Sequence, residues 1–116
     1  MKWLALLLLL GRASALEPWT WGDTAGEGAL GALFLVDWGQ TNSAMRAGGM
    51  ETNSLLPSHP SEERLAVHFG AFLVAHATIA RLLPSPFRRI WQVLYMGIEI
   101  QAIHHNATWI GLRLTY

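Results

Sequence analysis

The 116-residue sequence contains no cysteine, so disulfides do not stabilise it. Exported domains of this size often rely on disulfides when their hydrophobic core is thin. Basic and acidic residues balance at eight each, and this lack of excess positive charge argues against nucleic acid as a partner. Repeats and low-complexity tracts are also missing from the sequence. Because disulfides are excluded, additional stability must come from a lipid environment or from a partner protein.

The N-terminus carries the clearest targeting signal. Lys2 precedes an apolar run over residues 3–10, and the small-residue sequence Ala13-Ser14-Ala15 follows. A charged start, a short apolar stretch and small residues before the cut are typical of a secretory signal peptide. We expect a cleaved signal peptide over residues 1–15. Because Arg12 is unusual so close to the cut, retention as an uncleaved membrane anchor is the alternative.

A single domain over residues 16–116 is expected to contain three helices. The first is rich in Gly and Ala and follows a short non-helical entry segment. Ser61 is the predicted N-cap of the second helix, and Ser85 is the predicted N-cap of the third, with Pro86 at its first position. The predicted helices cover residues 25–45, 61–83, and 85 to between 105 and 109.

Tryptophan spacing and a long apolar stretch favour a membrane. Trp91 and Trp109 are eighteen residues apart, which is about 27 Å along a helix and close to the thickness of a hydrocarbon core. The second helix is almost continuously apolar from Leu65 to Leu83, the length of one span. We therefore expect an all-α, membrane-embedded bundle of three helices. Three spans after a cleaved signal peptide would place Arg88 and Arg89 outside, against the positive-inside bias, so a first helix that does not cross the membrane is an alternative. A soluble helical domain is another alternative, since aromatic residues also dominate soluble cores.

Polar side chains within these apolar helices need an explanation, because unpaired charges there are costly. Carboxylate and imidazole groups are suitable ligands for a divalent metal, so Asp37, His76, Glu99 and His105 are the candidates for a converging metal or proton site. The local signatures Glu-x-x-His and His-x-x-x-His are missing, and a hydrogen-bonded network that fixes helix register is the preferred interpretation. The predicted network consists of Asp37, Thr41, Glu51, Asn53, His76, Glu99, His105 and Asn106.

No catalytic motif accompanies these residues. The sequence has no phosphate loop, no nucleophile elbow and no thiol nucleophile. We therefore expect neither enzymatic activity nor a cofactor.

Several short motifs occur together in one order. They are Asp37-x-x-x-Thr41, Glu51-x-Asn53 with Leu55-Leu56, His76, Gly97-x-Glu99 and His105-Asn106. This pattern resembles small uncharacterised membrane proteins of bacteria and their phages, which carry Asp-x-x-x-Thr in one helix, a Glu-x-Asn-Pro turn after it and two further helices. Ser54 stands where that pattern has proline. The resemblance implies a helical membrane architecture and a phage or prophage origin, without implying an activity.

The expected function follows from the predicted export signal and the predicted helical membrane architecture. We expect a small exported or integral protein of the bacterial inner membrane that acts as a structural or accessory envelope component. Its expected partners are the membrane and, through helix contacts, a second copy or another membrane protein. An ion-binding or transport element that uses the carboxylate and histidine cluster is one alternative, and a soluble periplasmic interaction module is another.

Overall fold

The computed structural model describes residues 17–116, so the predicted signal peptide lies outside the described residues. Within this range the chain is helical and contains no strand, and the prediction of an all-α fold with three helices is confirmed. The helices are α1 (Trp21–Arg46), α2 (Glu62–Leu82) and α3 (Ser85–Ile110).

Helix α1 begins earlier than predicted. The hydroxyl of Thr20 accepts a hydrogen bond from the Asp23 backbone N–H at 3.2 Å, and the Asp23 carboxylate accepts one from the Thr20 N–H at 2.9 Å. This reciprocal capping box satisfies two backbone donors at the helix start. The prediction of a non-helical entry segment before residue 25 is therefore wrong from Trp21 onward. Asp23 occupies the N3 position of the capping box, where the usual signature has Glu or Gln, so the sequence pattern did not indicate this helix start.

The other two helix starts differ in their capping. Ser61 caps α2 as predicted, and its hydroxyl accepts from the Arg64 N–H at 3.1 Å. Ser85 lies inside α3 instead of capping it, and Pro84 occupies the N-cap position without a side-chain hydrogen bond. Pro84 and Pro86 lie on either side of Ser85, and each fixes its own backbone φ angle near the helical value. Proline is tolerated at this helix start because the first N–H groups of a helix have no intrahelical partner.

The three helices form an up-down-up bundle in which α1 and α3 run parallel. Asp23 contacts Arg88 near the start of both helices, and the Gln40 side chain donates to the Gly111 carbonyl near their ends at 2.9 Å. Helix α2 runs antiparallel to both, and Phe69 packs edge-to-face on Phe34 of α1. Since α2 returns the chain to the starting end, α1 and α3 can align side by side.

The interior of this bundle is more polar than its surface. Among the described residues, five buried side chains are hydrophobic, namely Leu30, Phe34, Leu65, Phe69 and Ala80, whereas ten are polar or charged. Large hydrophobic side chains are exposed along α2 and α3, including Val67, Val74, Ile90, Val93, Leu94 and Ile98. Water-soluble domains show the opposite distribution, with few buried charges and no extended apolar surface.

The last residues fold back along α1. The Thr115 N–H donates to the Gly39 carbonyl at 3.0 Å, and the Tyr116 hydroxyl donates to the Leu35 carbonyl at 2.8 Å. A Cβ atom at Gly39 would lie 2.9 Å from the Tyr116 ring, so only glycine permits this close approach. The segment thus covers a polar stretch of α1 that would otherwise be open.

Candidate functional site

Seven of the ten buried polar or charged side chains, with the partly buried Glu27 and Asn106 beside them, form two layers along the bundle. The N-terminal layer consists of Asp23, Glu27, His76, Arg88 and Gln92. The carboxylate layer consists of Asp37, Thr41, Glu99 and Asn106. Buried apolar side chains of α1 and α2, with Leu30, Phe34 and Phe69 at their centre, separate the two layers.

A buried ion pair anchors the N-terminal layer. Arg88 donates to the Asp23 carboxylate at 2.7 Å and to the Ala80 carbonyl at 2.8 Å. Its guanidinium also lies 5.0 Å from the Trp19 ring centroid, a cation–π distance. Arg88 is fully buried and Asp23 is 4% exposed, so each charge depends on the other for compensation.

His76 belongs to the N-terminal layer. Its Nδ1 lies 3.1 Å from a Glu27 carboxylate oxygen, and its ring stacks on Trp91 with the centroids 5.0 Å apart. The Gln92 amide donates to the other Glu27 oxygen at 3.2 Å. The structure therefore places His76 in a different layer from Asp37, Glu99 and His105, which corrects the expectation that all four converge. Sequence spacing within α2 carried no information on which layer of α1 this histidine would meet.

The carboxylate layer brings α1 and α3 together through Asp37. One Asp37 oxygen accepts a hydrogen bond from the Asn106 amide at 2.6 Å and a longer one from the Thr41 hydroxyl at 3.4 Å. The Thr41 hydroxyl also donates to the Asp37 carbonyl at 2.8 Å. The predicted pairing of Asp37 with Thr41 on one helical face is thus present, and Asn106 adds a stronger donor from α3.

Glu99 lies beside Asp37 and is incompletely satisfied. The two carboxyl groups are close neighbours, yet Glu99 Oε2 is buried and has no hydrogen-bond partner among the described residues. Two buried carboxylates at close range repel each other unless a proton or a cation lies between them. This pair therefore depends on a proton or a cation for its compensation.

A cavity of about 580 Å³ opens onto this pair. Seven of the eight residues of the predicted polar network line it, and His76 is the exception. The lining members of that network are Asp37, Thr41, Glu51, Asn53, Glu99, His105 and Asn106. These network residues come from α1, α3 and the connection between α1 and α2, and the cavity is also lined by Phe69 and Phe72 of α2. Its remaining wall is largely aromatic and apolar.

The connection between α1 and α2 is ordered by its own side chains. The Asn53 amide oxygen accepts from the Leu55 N–H at 3.0 Å, and the Glu51 carboxylate accepts from the Asn53 N–H at 2.8 Å. Leu56 packs against the hydrophobic core cluster and fixes the turn to the bundle. An Asx turn at Asn53 thus bends the chain without a proline at Ser54, and it positions Glu51 at the cavity.

Several buried polar residues were not foreseen from the sequence. The Asn42 amide donates to the Thr115 carbonyl at 3.0 Å, and the Ser43 and Thr115 hydroxyls lie 2.7 Å apart. The available signal was the uninterrupted polar run Gln40-Thr41-Asn42-Ser43 in α1. Such a run needs partners on every side of the helix, and the C-terminal segment supplies them.

Within residues 17–116, no group of three or more His, Cys, Asp or Glu side chains is arranged to hold a metal ion. No protein-family model, no curated protein and no solved structure matches the chain.

Proposed function

We propose that this chain is an integral membrane protein that serves as a structural or accessory component of the bacterial envelope. The observation that carries the proposal is the inverted distribution of polarity, with ten polar or charged side chains buried and nineteen large hydrophobic side chains exposed. In a hydrocarbon environment this arrangement satisfies polar groups inside and leaves apolar groups facing lipid. The motif resemblance extends the proposal to a phage or prophage origin.

Helix α2 supports the proposal independently. It is the one described helix that is both long and apolar enough to cross a membrane by length and composition. Only 17% of its most apolar window of 18 residues is buried within the bundle. A core helix of a soluble protein would be mostly buried, so this outer face is suited to lipid or to a neighbouring membrane helix. We propose a second copy of the chain or another membrane protein as that neighbour.

A matched pair of lysine substitutions tests the membrane proposal. Val74 lies near the middle of α2 and is 67% exposed, whereas Leu82 lies at its end and is 59% exposed. In a membrane, Val74→Lys places an ammonium group in the middle of the hydrocarbon core and costs about 2.5–3.5 kcal/mol of insertion free energy. Leu82→Lys is tolerated because the side chain snorkels to the interface. In water, both exposed lysines are tolerated equally.

The measurement is the amount of protein that stays with the membrane pellet after carbonate extraction. We expect the parent chain and Leu82→Lys in the pellet, and Val74→Lys to be depleted or degraded. Release of the parent chain into the supernatant would contradict the proposal and favour the soluble periplasmic module. Equal recovery of the two lysine variants would count against α2 as a span.

A further inference from the structure

We infer that the cavity at the carboxylate layer is a binding site for a primary ammonium group. The cavity lies within the bundle, so this inference goes beyond the membrane proposal and does not depend on it. The starting point is Glu99, which is 7% exposed, lines the cavity and has an Oε2 atom without a hydrogen-bond donor among the described residues. A buried acceptor left open in this way is costly unless a ligand, a water or a proton shared with the neighbouring carboxyl group supplies the donor.

The charges around the cavity select a cation. Asp37, 8% exposed, lies next to Glu99, and Glu51 is a third carboxylate in the lining. The described lining residues include no Lys or Arg, and the other titratable groups among them with a basic nitrogen are the imidazoles of His68 and His105. A concave site that is lined by negatively charged carboxylates and has low-dielectric walls raises the local concentration of a positively charged ligand.

The opposite wall selects an organic cation. Phe34, Phe69, Phe72 and Tyr95 all line the cavity. Aromatic rings attract ammonium groups electrostatically and accept the hydrocarbon part of the ligand by apolar contact. The volume of about 580 Å³ lies within the range of small-molecule sites.

The open acceptor also distinguishes between classes of ammonium. A primary ammonium has three N–H donors and can bridge Asp37 and Glu99 while filling the vacant position at Oε2. A quaternary ammonium has no N–H and leaves that oxygen without a donor. The primary ammonium can belong to a free amine or to an ethanolamine lipid headgroup, since both present the same chemistry to the site.

Binding of 2-phenylethylamine to the purified full chain in mild detergent, measured by calorimetry, tests the inference. Two analogues with the same phenylethyl skeleton serve as ligand controls, 2-phenylethanol and the bulkier N,N,N-trimethyl derivative of the amine. We expect saturable binding of the amine and at least about tenfold weaker binding of both analogues, since neither offers a charged N–H donor. Equal binding of the alcohol would overturn the inference, and so would an absence of amine binding to the folded protein.

Matched variants locate the binding in this cavity. Glu99→Gln removes the charge but keeps a hydrogen-bonding side chain, and Glu63→Gln makes the same change at an exposed position outside the lining. We expect a loss of at least about tenfold in affinity for the first variant and no change for the second. Retained affinity in a folded Glu99→Gln protein would overturn the inference.

A second pair keeps the test decisive if Glu99→Gln fails to fold. Phe72 is partly exposed and lines the cavity, whereas Phe87 is exposed and lies outside it. Phe72→Leu should weaken amine binding several-fold and Phe87→Leu should leave it unchanged, with folding of each checked by thermal unfolding. Equal effects of the two leucine variants would contradict the proposed site.

The last arm distinguishes the two sources of the ammonium. The protein is placed in lipid discs of phosphatidylcholine alone or of phosphatidylcholine with phosphatidylethanolamine. Competition of the ethanolamine lipid with 2-phenylethylamine assigns the site to a headgroup, and undiminished amine binding assigns it to a free amine. Binding of sodium or magnesium ions in place of the amine would overturn the organic class of ligand.

Discussion

At the scale of single residues, Arg88 connects all three helices at one end of the bundle. It donates to Asp23 of α1 and to the Ala80 carbonyl of α2, and it projects from α3. We expect Arg88→Met to lower the free energy of unfolding by about 3–5 kcal/mol, because Asp23 then remains buried without its partner. The exposed neighbour provides the control, and Arg89→Met should stay within about 0.5 kcal/mol of the parent. Denaturant unfolding in detergent measures both, and similar values would show that the ion pair is dispensable.

Two glycines of α1 make a matched pair with opposite expected effects. A Cβ at Gly39 would meet the Tyr116 ring at 2.9 Å, whereas nothing lies within 4 Å of a Cβ at Gly28. We expect Gly39→Ala to destabilise the protein by about 1–3 kcal/mol through displacement of the C-terminal segment. Gly28→Ala should stabilise it by about 0.5–1 kcal/mol, since alanine loses less conformational entropy in a helix. Thermal unfolding of the two variants should therefore shift in opposite directions, and a shared direction would refute the contact.

At the scale of the element, the outer face of α3 gives a direct readout of its environment. Leu94 is 56% exposed and Ile98 is 46% exposed on the bundle, whereas Arg89 is exposed near the start of the helix. Because the sequence has no native cysteine, single cysteines at these positions give no background labelling. In intact membranes we expect a membrane-impermeant thiol reagent to label Arg89→Cys from one side only and to spare Leu94→Cys and Ile98→Cys.

Labelling of all three cysteines after denaturation in SDS is the control for reactivity. Uniform labelling along α3 in intact membranes would place the helix in water and favour the soluble module. The Arg88 position is unsuitable for this scan, because the side chain is fully buried and its loss breaks the ion pair with Asp23.

The helices themselves could be predicted from the sequence better than their mutual contacts could. Ser61 and the acidic residues after it marked the start of α2, because capping is a local interaction between neighbours in sequence. The partner of His76 depended instead on how α2 aligns with α1, which no local pattern encodes. The cavity illustrates the same limit. Its seven network residues could be predicted because a polar side chain inside an apolar helix is costly unless it is paired, whereas the aromatic wall of the cavity depends on how the three helices pack.

At the scale of the whole molecule, export is expected to end in a cut before Leu16. Glu17 already contacts the junction of α2 and α3, where its carboxylate accepts from the Ser85 N–H and its carbonyl accepts from Arg81. We expect the exported protein to begin at Leu16, as measured by intact mass. Ala15→Leu should block processing because the peptidase excludes bulk at that position, whereas Ser14→Leu should be cut normally. Exported protein that retains Met1 would contradict the prediction.

The apolar side chains between the two polar layers have a consequence for transport. Glu27 and Asp37 are ten residues apart on α1, which is about 15 Å along the helix axis, and Leu30 and Phe34 fill the interval with nearly full burial. A proton or ion that moved along α1 from one layer to the other would have to cross this apolar interval at a high desolvation cost. Tyr95 of α3, whose ring centroid lies 4.9 Å from that of His76 and which also lines the cavity at the carboxylate layer, is a polar side chain that contacts both layers.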